Sequence, residues 1–146
     1  MGFHIITVLG LDRPGLVAAV SEILANANTN IVDIDQTVIR KLFAMFMIAD
    51  FSNSTVEFDE VKGSLLKKAA ELDVQISVEP YVFDKDFERR EERKLALLTI
   101  IGKDRLGIVA KFTGLCAKNA VNIERTKMIA RGETITMELP LMLKRF

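Results

Sequence analysis

Gly10–Ile31 reads GLDRPGLVAAVSEILANANTNI, and Gly102–Ile123 reads GKDRLGIVAKFTGLCAKNAVNI. The second stretch lies ninety-two positions after the first and aligns with it without a gap. Gly10, Asp12, Arg13, Gly15, Asn30 and Ile31 return as Gly102, Asp104, Arg105, Gly107, Asn122 and Ile123. Self-similarity of this kind marks one supersecondary unit used twice. An apolar run precedes each copy, Ile5–Leu9 or Leu97–Ile101, so each reads as strand, Gly-x-Asp-Arg turn, helix. Pro14 suits a first helical turn, where its missing N–H has no partner to lose. Leu16, Val17, Val20, Ile23, Leu24 and Ala27 recur at helical spacing, and Ile108, Val109, Phe112, Leu115, Cys116 and Ala120 make nearly the same face. The Asn-rich run 26–30 ends the first helix, and a strand begins at Ile31.

Outward from that unit, Phe3–Leu9 reads as a short buried strand. Ile31–Ile39 alternates, with Val32, Ile34 and Val38 inward and Asp33, Asp35 and Thr37 outward. After the break at Arg40-Lys41, Leu42–Phe51 is apolar on both faces, which predicts a strand covered on both sides. Ser54 and Glu57 fit a capping box opening a second helix, with Val61, Leu65, Leu66, Ala69 and Leu72 as its buried face. Val74–Val82 alternates again and closes a βαββαβ module, an α+β ferredoxin-like arrangement. Residues 84–94, with charges of both signs, read as a solvated linker, helical where Asp86 and Arg90 stand four apart. The domains expected are 1–83, this linker, and 95–146, a second βαββ module. That module has a strand over Ile123–Ala130, a turn at Arg131-Gly132 and a strand over Glu133–Leu139, but no second helix or fourth strand. Ile135, Met137, Leu139 and Leu141 would then lack a covering helix, and Leu97–Ile101 would be a sheet edge. Such a surface predicts a dimer or higher oligomer.

Composition narrows the function. Apolar residues make up 49% of 146, enough for a filled core, and Lys plus Arg equals Asp plus Glu at 20 each. No basic stripe runs along the chain, which argues against nucleic acid as a partner. Cys116 is the only cysteine and sits on an apolar helix face, which reads as a buried reduced thiol in a cytoplasmic protein. No apolar run is long enough to cross a membrane. His4, the only histidine, makes no metal cluster with others and reads as an ordinary strand residue.

The Asp-Arg-Pro-Gly turn, its helix and the Asn-Ile strand after it resemble an ACT domain, completely over 3–82 and incompletely over 95–141. The run DIDQTVIRKLFAMFMIADF, Asp33–Phe51, is especially similar to small stand-alone ACT proteins. The tandem layout resembles glycine-cleavage-system repressor-like regulators and the N-terminal regulatory part of some phosphoserine phosphatases. The resemblance implies a ferredoxin-like module that binds small molecules, usually amino acids, between two modules. No cofactor and no metal are expected.

Elementary chemistry fits that implication. A helix N-terminus offers free N–H groups and the positive dipole end to a carboxylate. Asp12 beside it can accept from an ammonium, and Gly15 leaves the backbone open to approach. The ligand-binding candidates at the turns are Asp12, Arg13, Gly15 and Leu16, repeated as Asp104, Gly107 and Ile108, and the resemblance adds Asn30, Ile31 and Asn122. By the family pattern Asn30 and Asn122 reach a ligand held by a neighbouring module's turn. Leu106 stands where Pro14 does, so the second turn is less pre-set. The structural alternative is that Gly10 and Gly15 only make a turn, Asp12 only caps the helix and pairs with Arg13, and Asn30 only takes a left-handed conformation.

Two other functions compete. Asp33–Thr37, DIDQT, matches a phosphatase Asp-x-Asp-x-Thr nucleophile pattern. That chemistry needs the end of a buried parallel strand, and these aspartates lie on the polar face of a strand entering a hairpin. RNA-recognition modules share the fold class and stack bases on sheet aromatics. Phe43 and Phe46 are available, but no basic residues surround them, and core packing is the expected role of both. The reading is a non-enzymatic, cytoplasmic regulator that senses a small amino acid through module or subunit contacts and acts on a regulated protein partner. The alternatives are the regulatory N-terminal portion of a phosphoserine phosphatase-like enzyme, or a dimerisation module without ligand.

Overall fold

The computed structural model describes residues 2–82, 94–123 and 125–143. The chain divides into two compact units, Met1–Asp84 and Lys85–Phe146. The expected linker, 84–94, lies outside the described residues apart from Lys94.

The first unit runs β1 (Phe3–Leu11), α1 (Leu16–Asn26), β2 (Asn30–Ile39), β3 (Leu42–Asp50), α2 (Phe58–Leu72) and β4 (Val74–Pro80). Its sheet is antiparallel with order β2-β3-β1-β4, the βαββαβ ferredoxin-like topology. One face carries both helices. Ile6 and Val8 of β1, Phe43, Met45, Met47 and Ala49 of β3, and Ile76 and Val78 of β4 are buried there against Leu16, Val20 and Leu24 of α1 and Val61, Leu65 and Ala69 of α2. The helical periodicity thus becomes core. Leu66 does not join it and stays 45% exposed.

His4 closes the far end of this core, stacked on Phe58 at 4.3 Å and edge-on to Phe51 at 5.1 Å. It is an aromatic plug, a role its position in the strand does not announce.

Several local expectations need correction. Glu57, not Ser54, precedes α2 as its N-cap, and no side chain caps that helix. Ser54 instead donates from Oγ to the carbonyls of Ala27 and Val56, tying the loop to the end of α1. Left-handed conformation falls on Asn28 (φ 52°) and its repeat partner Ala120 (φ 52°), while Asn30 is already strand. Gly10 has a packing role, since a Cβ there would lie 2.5 Å from Val74 Cγ1. That close approach lets β4 lie against β1.

β2 carries a register shift between Ile31 and Asp33 and is exposed along nearly its whole length, because it is the sheet edge. Val32, Ile34 and Val38 keep 43–48% of their surface open. The other side of β3 is also open, with Leu42 at 46% and Phe46 at 55%. Phe43 is core and Phe46 is not, so the two aromatics part company.

The second unit runs β5 (Lys94–Lys103), α3 (Ile108–Lys118), β6 (Asn122–Ile123), β7 (Lys127–Arg131) and β8 (Thr134–Leu143). β8 lies between β5 on one side and β6 and β7 on the other. This is the first sheet without its β4, so among the described residues β5 pairs on one side only. Gly102 reflects that. A Cβ there would meet nothing within 4 Å, where its counterpart Gly10 has none to spare.

The single strand expected over Ile123–Ala130 is two, and the break falls opposite Pro140, which has no N–H to donate. Ile135, Met137 and Leu139 are not bare, as the missing helix suggested, but fully buried, enclosed by Leu98, Ile100, Ile108, Ile123 and Leu141. One helix suffices for this small core because three residues fill it. The cost falls on α3 itself. Cys116 is its one buried residue, while Val109 and Leu115 stay 40% and 58% exposed.

Candidate functional site

The two Gly-x-Asp-Arg turns have the same geometry. Gly15 and Gly107 are the N-caps of α1 and α3, at φ 90° and 80°. A left-handed backbone there favours glycine, and no neighbour lies within 4 Å of where a Cβ would be. Neither helix has a side-chain cap, so Asp12 does not cap α1. Among the described residues, the first-turn N–H groups of both helices thus have no capping side chain, at the end where the helix dipole is positive.

Each turn is pinned to the hairpin beside it. The Asp12 N–H donates to the Lys41 carbonyl at 2.7 Å, and the Asp104 N–H to the Glu133 carbonyl at 2.8 Å. Arg13 Nη1 reaches the Leu72 carbonyl at 3.5 Å, across to the end of α2. The Asp12 and Asp104 side chains point off exposed turns.

Asp12, Arg13, Gly15 and Leu16 thus stand together, with Leu16 offering only its backbone, since its side chain is core. Asn30 and Ile31 do not join them. Asn30 pairs with Asp50, itself opposite Phe3, whereas the turn follows Leu11 at the other end of β1. Eight strand residues separate those ends, about 27 Å. The second unit repeats the separation: Asn122 is opposite Met142, beside Leu95, while Asp104, Gly107 and Ile108 follow the far end of β5. Within one unit, the asparagine and the turn cannot hold one small ligand.

Two hollows among the described residues lie at the second turn, although Pro14 pre-sets the first. One of about 450 Å³ is lined by Lys103, Arg105, Leu106, Gly107, Lys111 and Phe112, among others. A shallower one of about 680 Å³ adds Asp104, Val109 and Met128. The hollow near the first turn, about 390 Å³, is lined by Leu9, Gly10, Leu42 and Val74 and reaches neither Asp12 nor Gly15. The first of these opens on the side of β5 where the first unit has β4. Lys103 and Lys111 were not among the sequence candidates. Their signal was three bases (with Arg105) within nine positions around a helix start.

Asp33 and Asp35 lie on the antiparallel edge strand β2, pairing with Ile48 and Phe46. Among the described residues, no group of three or more His, Cys, Asp or Glu side chains could hold a metal ion. No described helix is long and apolar enough to cross a membrane.

The ACT domain family model matches residues 3–79. A UPF0237 protein of Methanocaldococcus jannaschii is 47% identical over 75 residues, 51% of this chain and 83% of that protein. A UPF0237 protein of Listeria innocua is 48% identical over 75 residues, 51% and 84% of the two chains. Among solved structures, a candidate glycine cleavage system transcriptional repressor superposes with a TM-score of 0.75 at 19% identity, covering 97% of this chain and 80% of its own. At that identity the likeness is one of fold, and it extends over both units.

Proposed function

The chain belongs to the ACT domain family, and from that premise we propose that it is a regulatory protein without catalysis of its own that binds a small amino acid at its Gly-x-Asp-Arg turns. One observation carries this reading. Both copies present an uncapped helix N-terminus behind a left-handed glycine, with an exposed aspartate three residues before it. The amides suit a carboxylate, and the aspartate suits the ammonium a short distance away. Asn30 and Asn122, remote from the turn of their own unit, would complete the site of another module. The signal would pass through module or subunit contacts to a regulated protein. Exposed apolar positions on the sheet faces support self-association into a homodimer or higher oligomer.

A thermal-shift screen against the common amino acids tests the reading. A ligand at 100 times its Kd adds about 2.7 kcal/mol of stability. Gly15→Asp sets a carboxylate where the ligand's must go and is expected to abolish the shift in a folded protein, and Gly107→Asp to do less. Asp12→Asn is expected to weaken binding by about 1.5–3 kcal/mol. If no amino acid shifts the wild type, the ligand reading fails.

A further inference from the structure

β1 and β5 correspond at the ninety-two-residue offset, but their surroundings differ. β1 pairs with β3 on one side and β4 on the other. Among the described residues β5 pairs with β8 alone. In an antiparallel ladder, alternate residues give both N–H and C=O to the same neighbour. Every other residue over 96–102 therefore turns its backbone groups to the side on which residues 4–10 hold β4.

The space beside that edge has the shape of a missing strand. Ile76 and Val78 of β4 lie opposite Val8 and Ile6, which are 1% and 0% exposed. The counterparts of those two, Ile100 and Leu98, are only partly buried, and so is Phe112, where the first unit has the buried Val20. The hollow of about 450 Å³ runs along this gap, with Ile100 and Phe112 in its wall. A Cβ on Gly102 would meet nothing within 4 Å, whereas one on Gly10 would meet Val74. Arg13 reaches the carbonyl of Leu72, two residues before β4 begins. Arg105 repeats Arg13, with no such carbonyl across from it among the described residues.

Charge distinguishes this gap from the one that β4 fills. Lys103 and Lys111 stand where the first unit has Leu11 and Ala19. With Arg105 they give the hollow three bases, and no acid lines it. Val74, the first residue of β4, is opposite Gly10, so an incoming antiparallel strand would begin at Gly102, beside these bases.

We propose that the open edge of β5 takes an extended segment of a partner protein as an added antiparallel strand, with apolar side chains at alternate positions and acids just before the first of them. Backbone pairing supplies the affinity, and the apolar gap and basic rim supply the choice. This deepens one part of the reading above, the regulated protein, and rests on that part and not on the amino acid.

The chain itself contains a probe of this chemistry. Residues 71–80, ELDVQISVEP, carry Glu71 and Asp73 ahead of Val74, Ile76 and Val78. A fluorescein-labelled peptide of this sequence, titrated with the whole chain and followed by anisotropy, is expected to bind with a Kd below about 1 mM. Hydrogen exchange is expected to slow in β5. Gly102→Ala sets a methyl group against the peptide's first valine and is expected to weaken binding about 5- to 150-fold, with the chain as stable as before. The peptide with Val74→Gly is expected to recover the loss. Lys103→Glu with Lys111→Glu is expected to weaken binding about tenfold at low salt, and the peptide with Glu71→Lys and Asp73→Lys to restore it. No binding to the wild type, slowed exchange in β1 in place of β5, or either variant binding as the wild type does overturns the proposal. So does a β5 edge already protected from exchange in the free chain, whether by a second copy or by another segment of the same chain. The amino-acid screen is run without peptide, so either reading can fail while the other stands.

Discussion

Replacing Gly10 with alanine puts a methyl carbon 2.5 Å from Val74 Cγ1 and 3.2 Å from Val74 Cα. The side chain of Val74 can turn, but its backbone is held in register by β1 pairing from His4 to Gly10. Overpacking of this kind costs about 1–3 kcal/mol. For a unit of this size that is a fall in Tm of about 4–8 °C per kcal/mol. The repeat supplies its own control. Gly102→Ala, at the equivalent position, adds a methyl group with nothing within 4 Å. It is expected to gain about 0.5–1 kcal/mol from the lost backbone freedom of glycine. Urea unfolding by circular dichroism gives the two signs, and hydrogen exchange at β1 and β4 against β5 and β8 assigns each change to its unit. Val74→Ala in the Gly10→Ala background should recover part of the loss, giving a coupling of about 1 kcal/mol. If Gly10→Ala is as harmless as Gly102→Ala, then β4 does not lie against β1 as described.

Three further outcomes follow from burial and hydrogen bonding. Leu65→Ala removes a fully buried α2 side chain and should cost about 2–5 kcal/mol, whereas Leu115→Ala, at a 58% exposed site, should stay within about 0.5 kcal/mol; urea midpoints compare them. Thr29 is buried, and its Oγ1 has no partner among the described residues, so Thr29→Val should stabilise the first unit by about 1 kcal/mol in the same assay. The Ser52 hydroxyl, and after it the Ser52 N–H, hold the Asp50 carboxyl below its ordinary pKa. A depressed folded-state pKa contributes stability above the unfolded value, near 3.9, that is lost as pH falls through the folded one. Ser52→Ala should therefore raise the Asp50 pKa, read by NMR titration, and trim stability above about pH 4 while leaving it unchanged at lower pH.

Periodicity and repetition were legible in the residues alone. The apolar spacing of Leu16, Val20 and Leu24 and the alternation of Val74, Ile76 and Val78 settle which faces turn inward, because a helix and a strand have fixed side-chain periods. The ninety-two-residue offset makes the second turn a copy of the first, left-handed glycine included. Tertiary structure decided everything that depends on which neighbour is present. Gly10 and Gly102 are the same residue in the same motif, yet only the strand β4 crowds the first. Ile135, Met137 and Leu139 were expected to lie bare for want of a second helix, and are buried because so small a core needs only one. Phe43 and Phe46 differ by three positions along one strand and so face opposite ways, one into the core and one outward. Ser54 fits a capping pattern but bonds to Ala27, because a carbonyl at the end of α1 lies within reach of its hydroxyl. The sites follow the same division: local turn geometry was legible in the residues, whereas the distance between Asn30 and Asp12 came only from the direction in which β2 runs back along β3.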